Sequence, residues 1–306
     1  MAPSKIEEAS QTNLPPSDNS GVLTPNSATH QQWTPHTVLS TLPDPYPTNP
    51  TTPIPFFHLL ERLKTTKREG WRRFGINHGE SIADHMYRMS IMTLLCPPTL
   101  SRTLDLPRCT RMALVHDMAE SLVGDITPID GVTKTEKSRR ETETMDYICS
   151  SLLGSLPGDS NAHARDQIRA AWQEYEDSQT PESHFVHDVD KIELLLQMVE
   201  YERSHCATDD SAKGLDLGEF SRVAGKIALP EMQTWAEEIL QERRRFWAAK
   251  GEVPSHMHDV SEGKRKAQDA YYEGSGKAVK VEGEKEDEGR NGSFLVSGGG
   301  EVGLSS

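Results

Sequence analysis

Apolar residues recur every three or four positions through the middle of this chain, and that spacing constrains its fold more than any other feature. In the segment 182–203, for example, apolar side chains stand at Phe185, Val189, Ile192, Leu196 and Val199. This period places apolar side chains on one face of a helix. A half-buried strand would instead alternate every two residues, and no segment does so strongly. The sequence therefore predicts an all-α fold.

The same spacing, together with proline and glycine stop signals, predicts where the helices run. They are expected at 57–63, 81–96, 107–123, 134–153, 164–176, 182–203 and 231–249. Pro97 and Pro98 end the second of these helices, and Gly124 ends the third. Because no internal repeat is visible, a single helical bundle is the expected arrangement.

Composition divides the chain into a folded middle and two polar ends. Nine of the 19 prolines lie in residues 1–50, and eleven of the 22 glycines lie in residues 251–306. Proline removes backbone donors, and polar segments bury too little apolar surface to offset the entropy of folding. We therefore predict disordered tails at 1–52 and 251–306. The domain between them, 53–250, is long enough to bury one core.

Charge and cysteine usage exclude several classes of protein. The net charge of −14 argues against a nucleic acid polymer as partner, because phosphate backbones require a basic surface. No run of about 18 apolar residues exists, so no membrane partner is expected. The N-terminus lacks an apolar leader core, and the cysteines, Cys96, Cys109, Cys149 and Cys206, form no C-x-x-C pair. A cytoplasmic location is therefore expected, with the nucleus as a second one.

His116 and Asp117 stand side by side in the apolar run MALVHDMA (112–119). Burying both groups without partners would be costly, and a divalent cation would satisfy both at once. Imidazole nitrogen and carboxylate oxygen together suit zinc, manganese, iron or cobalt better than calcium. His85 on the preceding helix and Asp190 on a later helix can complete the set of ligands.

Structural roles that involve no metal also remain open for these residues. A single buried histidine is more often a satisfied core residue than a ligand, and Asp117 could pair with Arg111. Asp190 could pair with Lys191, and Asp188 is a competing carboxylate. Two residues along a helix point to different faces, so only one of these two aspartates can reach the site.

Two more carboxylates are expected near the same place. Glu120 follows His116 by four residues, which predicts that both project from one face of the helix. It can serve as a ligand, as the partner of a ligand or as the group that transfers a proton. Asp125 follows the predicted helix end and adds a second carboxylate near the predicted metal site.

Five blocks of this sequence resemble the YfbR-type 5′-deoxynucleotidases of the HD phosphohydrolase superfamily. They are ESIADHMYRM (80–89), ALVHDMAE (113–120), GDI (124–126), EKSRRE (136–141) and FVHDVDKIE (185–193). The resemblance runs from about Leu60 to Trp247 and excludes both tails. It implies an all-α HD domain, usually a homodimer, that removes phosphate from deoxyribonucleoside 5′-monophosphates.

The resemblance also implies roles for particular residues. The positions that match ligands of the main divalent metal are His85, His116, Asp117 and Asp190. Glu120 matches the residue that assists proton transfer. A second cation site would take Glu120, Asp125 and the backbone carbonyl of Ile126. Arg68 and Trp71 match an arginine and an aromatic residue that close over the nucleotide, and Asp125 can alternatively bond the 3′-hydroxyl.

Three questions stay open at this point. The metal can be manganese, cobalt, magnesium or zinc. The substrate can instead be that of another HD-type nucleotide phosphohydrolase, such as a cyclic nucleotide or an alarmone. A non-catalytic regulator that keeps the metal site is the third reading, and the intact Glu120 and Arg68 argue mildly against it.

Overall fold

The computed structural model describes residues 32–44, 46–208 and 214–255, together with Gly263 and Lys266. Its helices are α1 (Pro35–Leu39), α2 (Ile54–Thr65), α3 (Glu69–Arg72), α4 (Ile82–Leu94), α5 (Leu106–Val115), α6 (Glu120–Val123), α7 (Lys134–Tyr147), α8 (Asp159–Asp177), α9 (Pro181–Thr208) and α10 (Pro230–Ala249). A wider turn, Ile148–Leu152, continues α7, and a 3₁₀ segment, Gly218–Lys226, precedes α10. Among these residues the only β-type pairing is one isolated bridge, Lys67 to Ser81, so the predicted all-α class is confirmed.

Capping side chains explain where the helices that carry the site begin. Ser81 accepts a hydrogen bond from the Asp84 backbone, and the Asp84 carboxylate accepts one in return from the Ser81 backbone. This reciprocal capping box starts α4 one turn before His85. Asp105 caps α5 with a single hydrogen bond, which its carboxylate accepts from the Arg108 backbone N–H.

The single helix predicted at 107–123 is wrong, because the chain breaks it between His116 and Ala119. Helix α5 ends at Val115, and α6 begins at Glu120. The turn between them is tighter than an α-helix: Met118 N–H donates to Val115 O, and Glu120 N–H donates to Asp117 O. The expectation that His116 and Glu120 share one helix face is therefore also corrected, since no continuous helix joins them.

Two large apolar cores and a smaller cluster of Leu63, Ile82 and Met86 hold the described part of the bundle together. The first lies among α4, α5, α9 and α10 and includes Met89, Met112, Phe185, Val189 and Ile192. The second lies among α2, α7, α8 and the end of α5 and includes Leu59, Val115, Ile148 and Trp172. Burial of each such side chain stabilises the fold by about 1.5–3 kcal/mol. Packing of α4, α5 and α9 on one another brings three distant parts of the sequence to one point.

The ordered part of the chain begins before residue 53, where the sequence predicts a tail. Leu39 of α1 is buried in the second core, and Arg139 donates a hydrogen bond to the Trp33 carbonyl. The Asn49 backbone N–H donates to Ser151 O. The prediction of disorder for 1–52 is therefore corrected for the described residues from 32 onward, and residues 1–31 lie outside them.

The C-terminal boundary also moves beyond residue 250. The Asp216 carboxylate accepts hydrogen bonds from the Ser255 backbone and hydroxyl, and Arg243 donates to the Ser255 carbonyl. A Cβ on Gly218 would clash with that carbonyl, which explains why glycine is required there. Most of the predicted tail, including the basic pair Lys264–Arg265, lies outside the described residues. No helix in the described part of the chain has the length and apolar character to cross a membrane.

These contacts predict the effect of trimming the chain. A protein of residues 32–255 is expected to match the full chain in melting temperature. Trimming to 53–250 removes Leu39 and Ser255 and should lower the free energy of unfolding by at least about 2 kcal/mol. That loss corresponds to a fall of roughly 5 °C in calorimetry of a domain this size. Equal melting temperatures for the two truncated proteins would contradict the revised boundaries.

Candidate active site

His85 lies one turn into α4 and is fully buried. Its Nδ1 is 2.6 Å from Glu193 Oε2, and because a carboxylate can only accept, Nδ1 carries a proton. Its Nε2 lies 3.2 Å from Asp190 Oδ1 and 3.8 Å from Asp117 Oδ2. No hydrogen bond in the described structure satisfies Nε2. Burial lowers the pKa of His85, but the attraction of Glu193 and Asp190 outweighs it and raises that pKa to about 10.

His116 reaches the same point from the end of α5. Its Nδ1 lies 3.0 Å from the Ala113 carbonyl oxygen, which can only accept a hydrogen bond. This leaves Nε2 toward Asp117 Oδ2, at 3.3 Å. The His85 and His116 ring centroids are 5.5 Å apart. Each imidazole thus has its Nδ1 committed to an acceptor and its Nε2 turned toward the carboxylates.

The residues present fit a divalent cation. Ligand atoms of His85, His116 and Asp190 all lie within 4.8 Å of one another, and Asp117 adjoins both imidazoles. A buried nitrogen without a hydrogen-bond partner, facing two carboxylates, is the arrangement that a cation would satisfy. All four predicted ligands of the main metal are therefore brought together, although their role as ligands stays a prediction.

The two aspartates of α9 separate as helix geometry requires. Asp190 faces His85, and its Oδ2 accepts a hydrogen bond from the Tyr175 hydroxyl at 3.2 Å. Asp188 points elsewhere and accepts hydrogen bonds from the Ala228 and Leu229 backbone, just before α10. Lys191 pairs with Asp188 rather than with Asp190.

His187, which precedes Asp188 on α9, is partly buried against Tyr175. The ring centroids of the two residues are 4.0 Å apart, and His187 Nε2 is 3.0 Å from the Tyr175 carbonyl. Burial and the nearby Lys191 charge lower the pKa of His187 to about 4. A neutral His187 therefore supports Tyr175, which in turn binds Asp190.

Arg68, in the segment between α2 and α3, holds its positively charged guanidinium group next to the carboxylates. Its Nη1 lies 3.3 Å from Asp117 Oδ2. Burial alone would raise the pKa of Asp117, but the charges of His116 and Arg68 hold it well below its usual value. Asp125 Oδ2 accepts a hydrogen bond from the Glu69 backbone N–H at 2.6 Å, and this contact fixes the chain that carries Arg68.

Glu120 is a buried acid at the edge of this cluster. Its Oε1 is 3.4 Å from Lys137 Nζ, and its Oε2 has no hydrogen-bond partner in the described structure. Burial, with Asp117 and Asp125 nearby, raises the pKa of Glu120 well above its usual value, and Lys137 offsets only part of this. The surroundings of Glu120 therefore favour the protonated form of its carboxyl group more than water does.

Trp71 is 2% exposed and packs inside the protein. Its ring lies against Tyr201 and Phe220, with centroid distances of 5.3 and 4.5 Å, and its Nε1–H donates to Glu80 Oε1. In this structure the ring supports the segment that carries Arg68 and offers no open face. Contact between Trp71 and a nucleotide stays a prediction, as does a role for the Ile126 carbonyl.

Sequence reasoning missed three residues that touch the predicted site. Glu193 binds His85, Tyr175 binds Asp190, and Lys137 binds Glu120. For Glu193 a signal was available, because it follows Asp190 by three residues and so shares its helix face. For Lys137 the signal was its place in the block EKSRRE (136–141). For Tyr175 no local pattern distinguishes a site contact from an ordinary helix residue.

The buried carboxylate of Glu141 is expected to make the free energy of unfolding depend on pH. Burial, opposed in part by Lys137, raises the pKa of Glu141 to about 7 in the folded state. An unfolded glutamate titrates near pH 4.5, so folded protein loses stability as the pH rises from there through 7. With about 1.4 kcal/mol per pKa unit, the loss approaches roughly 3 kcal/mol. In metal-free protein, Glu141→Gln should therefore raise the free energy of unfolding at pH 8 and much less at pH 5.

Urea denaturation at the two pH values measures this effect. Glu143→Gln is the matched control, because Glu143 lies on the same helix in an exposed ion pair with Arg139. Loss of such a pair changes stability by less than about 1 kcal/mol. An equal effect of both substitutions at pH 8 would contradict the assignment.

Comparison with known proteins places this chain in a family. The HD domain family model matches residues 60–234. The chain is 45% identical over 197 residues to 5′-deoxynucleotidase hdd1 of Schizosaccharomyces pombe, covering 64% of this chain and 92% of that protein. It is 38% identical to 5′-deoxynucleotidase YGK1 of Saccharomyces cerevisiae, with coverages of 70% and 92%. For 5′-deoxynucleotidase HDDC2 of Homo sapiens the values are 37%, 66% and 91%. This chain belongs to the HD domain family.

Proposed function

We propose that this chain is a metal-dependent 5′-deoxynucleotidase that hydrolyses deoxyribonucleoside 5′-monophosphates to deoxyribonucleosides and phosphate. The observation that carries the proposal is the cluster of two buried histidines and two partly exposed aspartates, with the buried Glu120 beside it. A second support is that the similar proteins bear the name 5′-deoxynucleotidase and that the chain covers nine-tenths of their length.

His85, His116, Asp117 and Asp190 would hold the main cation. Bound there, it supplies a water of lowered pKa and neutralises charge on the phosphoryl group. Mixed nitrogen and oxygen ligands fit manganese, cobalt or zinc, and magnesium is the fourth candidate. Asp125, already bound to the Glu69 N–H, would contribute either to a second cation with Glu120 and the Ile126 carbonyl or to the substrate 3′-hydroxyl.

Arg68 supplies the recognition of phosphate. Its guanidinium group lies at the carboxylate cluster, 3.3 Å from Asp117, and its side chain is 15% exposed. Planar guanidinium geometry matches two phosphate oxygens. Trp71 stacks behind this segment, and a movement of α3 would be needed before its ring contacted a ribose or a base.

Glu120 transfers a proton to the leaving group. The oxygen of water forms a new bond to phosphorus while the bond from phosphorus to the 5′-oxygen breaks. The departing 5′-oxygen needs a proton. The raised pKa of Glu120 favours its acid form, and its Oε2, which has no hydrogen-bond partner in the described structure, would donate that proton. The attacking water releases a proton in the same reaction, which restores the acid form of Glu120.

Replacement of Glu120 tests this assignment. Glu120→Gln is expected to lower kcat by about 10²–10⁴-fold while the protein retains its main metal, measured by equilibrium dialysis. Glu143→Gln serves as a control, because the Glu143 carboxylate pairs with Arg139 on α7. Undiminished turnover by metal-loaded Glu120→Gln would remove Glu120 from the mechanism.

The substrate class is tested by phosphate release from metal-free protein. Mn²⁺, Co²⁺, Mg²⁺ or Zn²⁺ is added in turn, with deoxyribonucleoside and ribonucleoside 5′-monophosphates offered separately. Metal-dependent release from the deoxy series alone supports the proposal. Turnover of cyclic or pyrophosphorylated nucleotides instead would assign another HD-type reaction, and bound metal without any turnover would favour a regulator.

An exposed apolar stripe on α4 supports a homodimer. Tyr87, Ile91 and Leu94 follow one another at helical spacing, and Leu95 comes next in the chain; all four are exposed, as is Leu114 on α5, the helix that packs against α4. A contiguous apolar surface of this kind typically marks a protein interface, and a two-fold axis would pair the stripe with itself. The three buried thiols, Cys96, Cys109 and Cys149, are free, which fits a reducing compartment such as the cytoplasm or nucleus.

A charge placed in the stripe tests the dimer. Ile91→Glu is expected to convert a dimer into a monomer in sedimentation velocity, because the interface would bury two uncompensated carboxylates. Val253→Glu is the control, since Val253 is also exposed but lies beyond α10. A monomeric unsubstituted chain at micromolar concentration would refute the dimer.

A further inference from the structure

Glu193 is a buried carboxylate with both oxygens committed. Its Oε2 binds His85 Nδ1 at 2.6 Å, and its Oε1 accepts from Arg88 Nε at 2.9 Å and from Arg88 Nη2 at 2.6 Å. The side chain is 0% exposed. A carboxylate held at both oxygens cannot rotate without breaking a charge-assisted hydrogen bond. The orientation of the His85 ring therefore depends on this group.

Arg88 is itself fixed from the other helix. Its Nη2 donates to Gln197 and its Nη1 donates to Glu200, both on α9, one and two turns beyond Glu193. Arg88 lies three residues after His85 on α4, so the network joins the two helices that carry His85 and Asp190. Of its members, only Glu193 touches a predicted metal ligand.

We propose that Glu193 is a positioning residue that keeps the His85 proton on Nδ1 and so leaves Nε2 as the metal-binding atom. The inference rests on the proposed function, because it presumes a cation at His85. A carboxylate partner fixes the tautomer of a ligating histidine and increases the basicity of the opposite nitrogen. Without that partner, the proton can move to Nε2 and occupy the position that the cation needs.

Glu193→Gln tests the tautomer directly. Arg88 only donates hydrogen bonds, so it would take the amide oxygen, and the amide NH₂ would then face His85 Nδ1. Nδ1 must accept in that arrangement, which forces the proton to Nε2. The Kd for Mn²⁺, measured by isothermal titration calorimetry on the full chain, should rise by about 10–100-fold.

Glu200→Gln is the matched control. Glu200 binds the same arginine from the same helix but is exposed and does not contact His85. We expect its Kd for Mn²⁺ to equal that of the unsubstituted protein. Equal Mn²⁺ binding by Glu193→Gln and unsubstituted protein would overturn the inference, and so would equal weakening by both variants, because the network would then act only as a clamp between helices.

A spectroscopic measurement on the unsubstituted protein covers the case in which Glu193→Gln does not fold. In Zn²⁺-loaded protein, ¹⁵N NMR should identify His85 Nδ1 as protonated and Nε2 as the metal-bound nitrogen. Metal bound at Nδ1 would overturn the inference and leave the proposed function intact. An unsubstituted protein that binds neither Mn²⁺ nor Zn²⁺ would overturn both.

Discussion

The burial of several carboxylates and two imidazoles at one point is the constraint on which the rest of this structure depends. Charges removed from water are costly unless each has a partner, and the surrounding fold supplies those partners one by one. Arg68 lies at Asp117, Tyr175 at Asp190 and Lys137 at Glu120. Two buried atoms of this cluster have no hydrogen-bond partner in the described structure, His85 Nε2 and Glu120 Oε2.

The break in the helix after α5 lies within this cluster of charged groups. In the tight turn between α5 and α6, Asp117 Oδ2 lies 3.3 Å from His116 Nε2 and 3.8 Å from His85 Nε2. His116 Nδ1 meanwhile stays bound to the Ala113 carbonyl. The price is an interrupted hydrogen-bond ladder, which the flanking buried residues Val115 and Leu122 offset by packing in the second core.

Much of the fold was predictable because helices depend on local sequence patterns. The apolar period and the start and stop residues located α2, α4 and α8 to α10 to within several residues. The short α1 was missed, since its Pro- and Thr-rich surroundings resemble a disordered segment and only packing of Leu39 on the second core orders it. The wide turn after α7 was missed for a similar reason, because its apolar residues continue the helical period.

The sequence by itself determined the helical class and the set of side chains able to bind a cation, because both follow from residue type and short-range spacing. Tertiary structure decided which of them meet: Asp190 faces His85 while Asp188 holds the start of α10. It also buried Trp71 and placed Glu193 behind His85, 108 residues away along the chain. Such pairings depend on how α4 and α9 pack, and a one-dimensional period carries no information about contacts between helices so far apart.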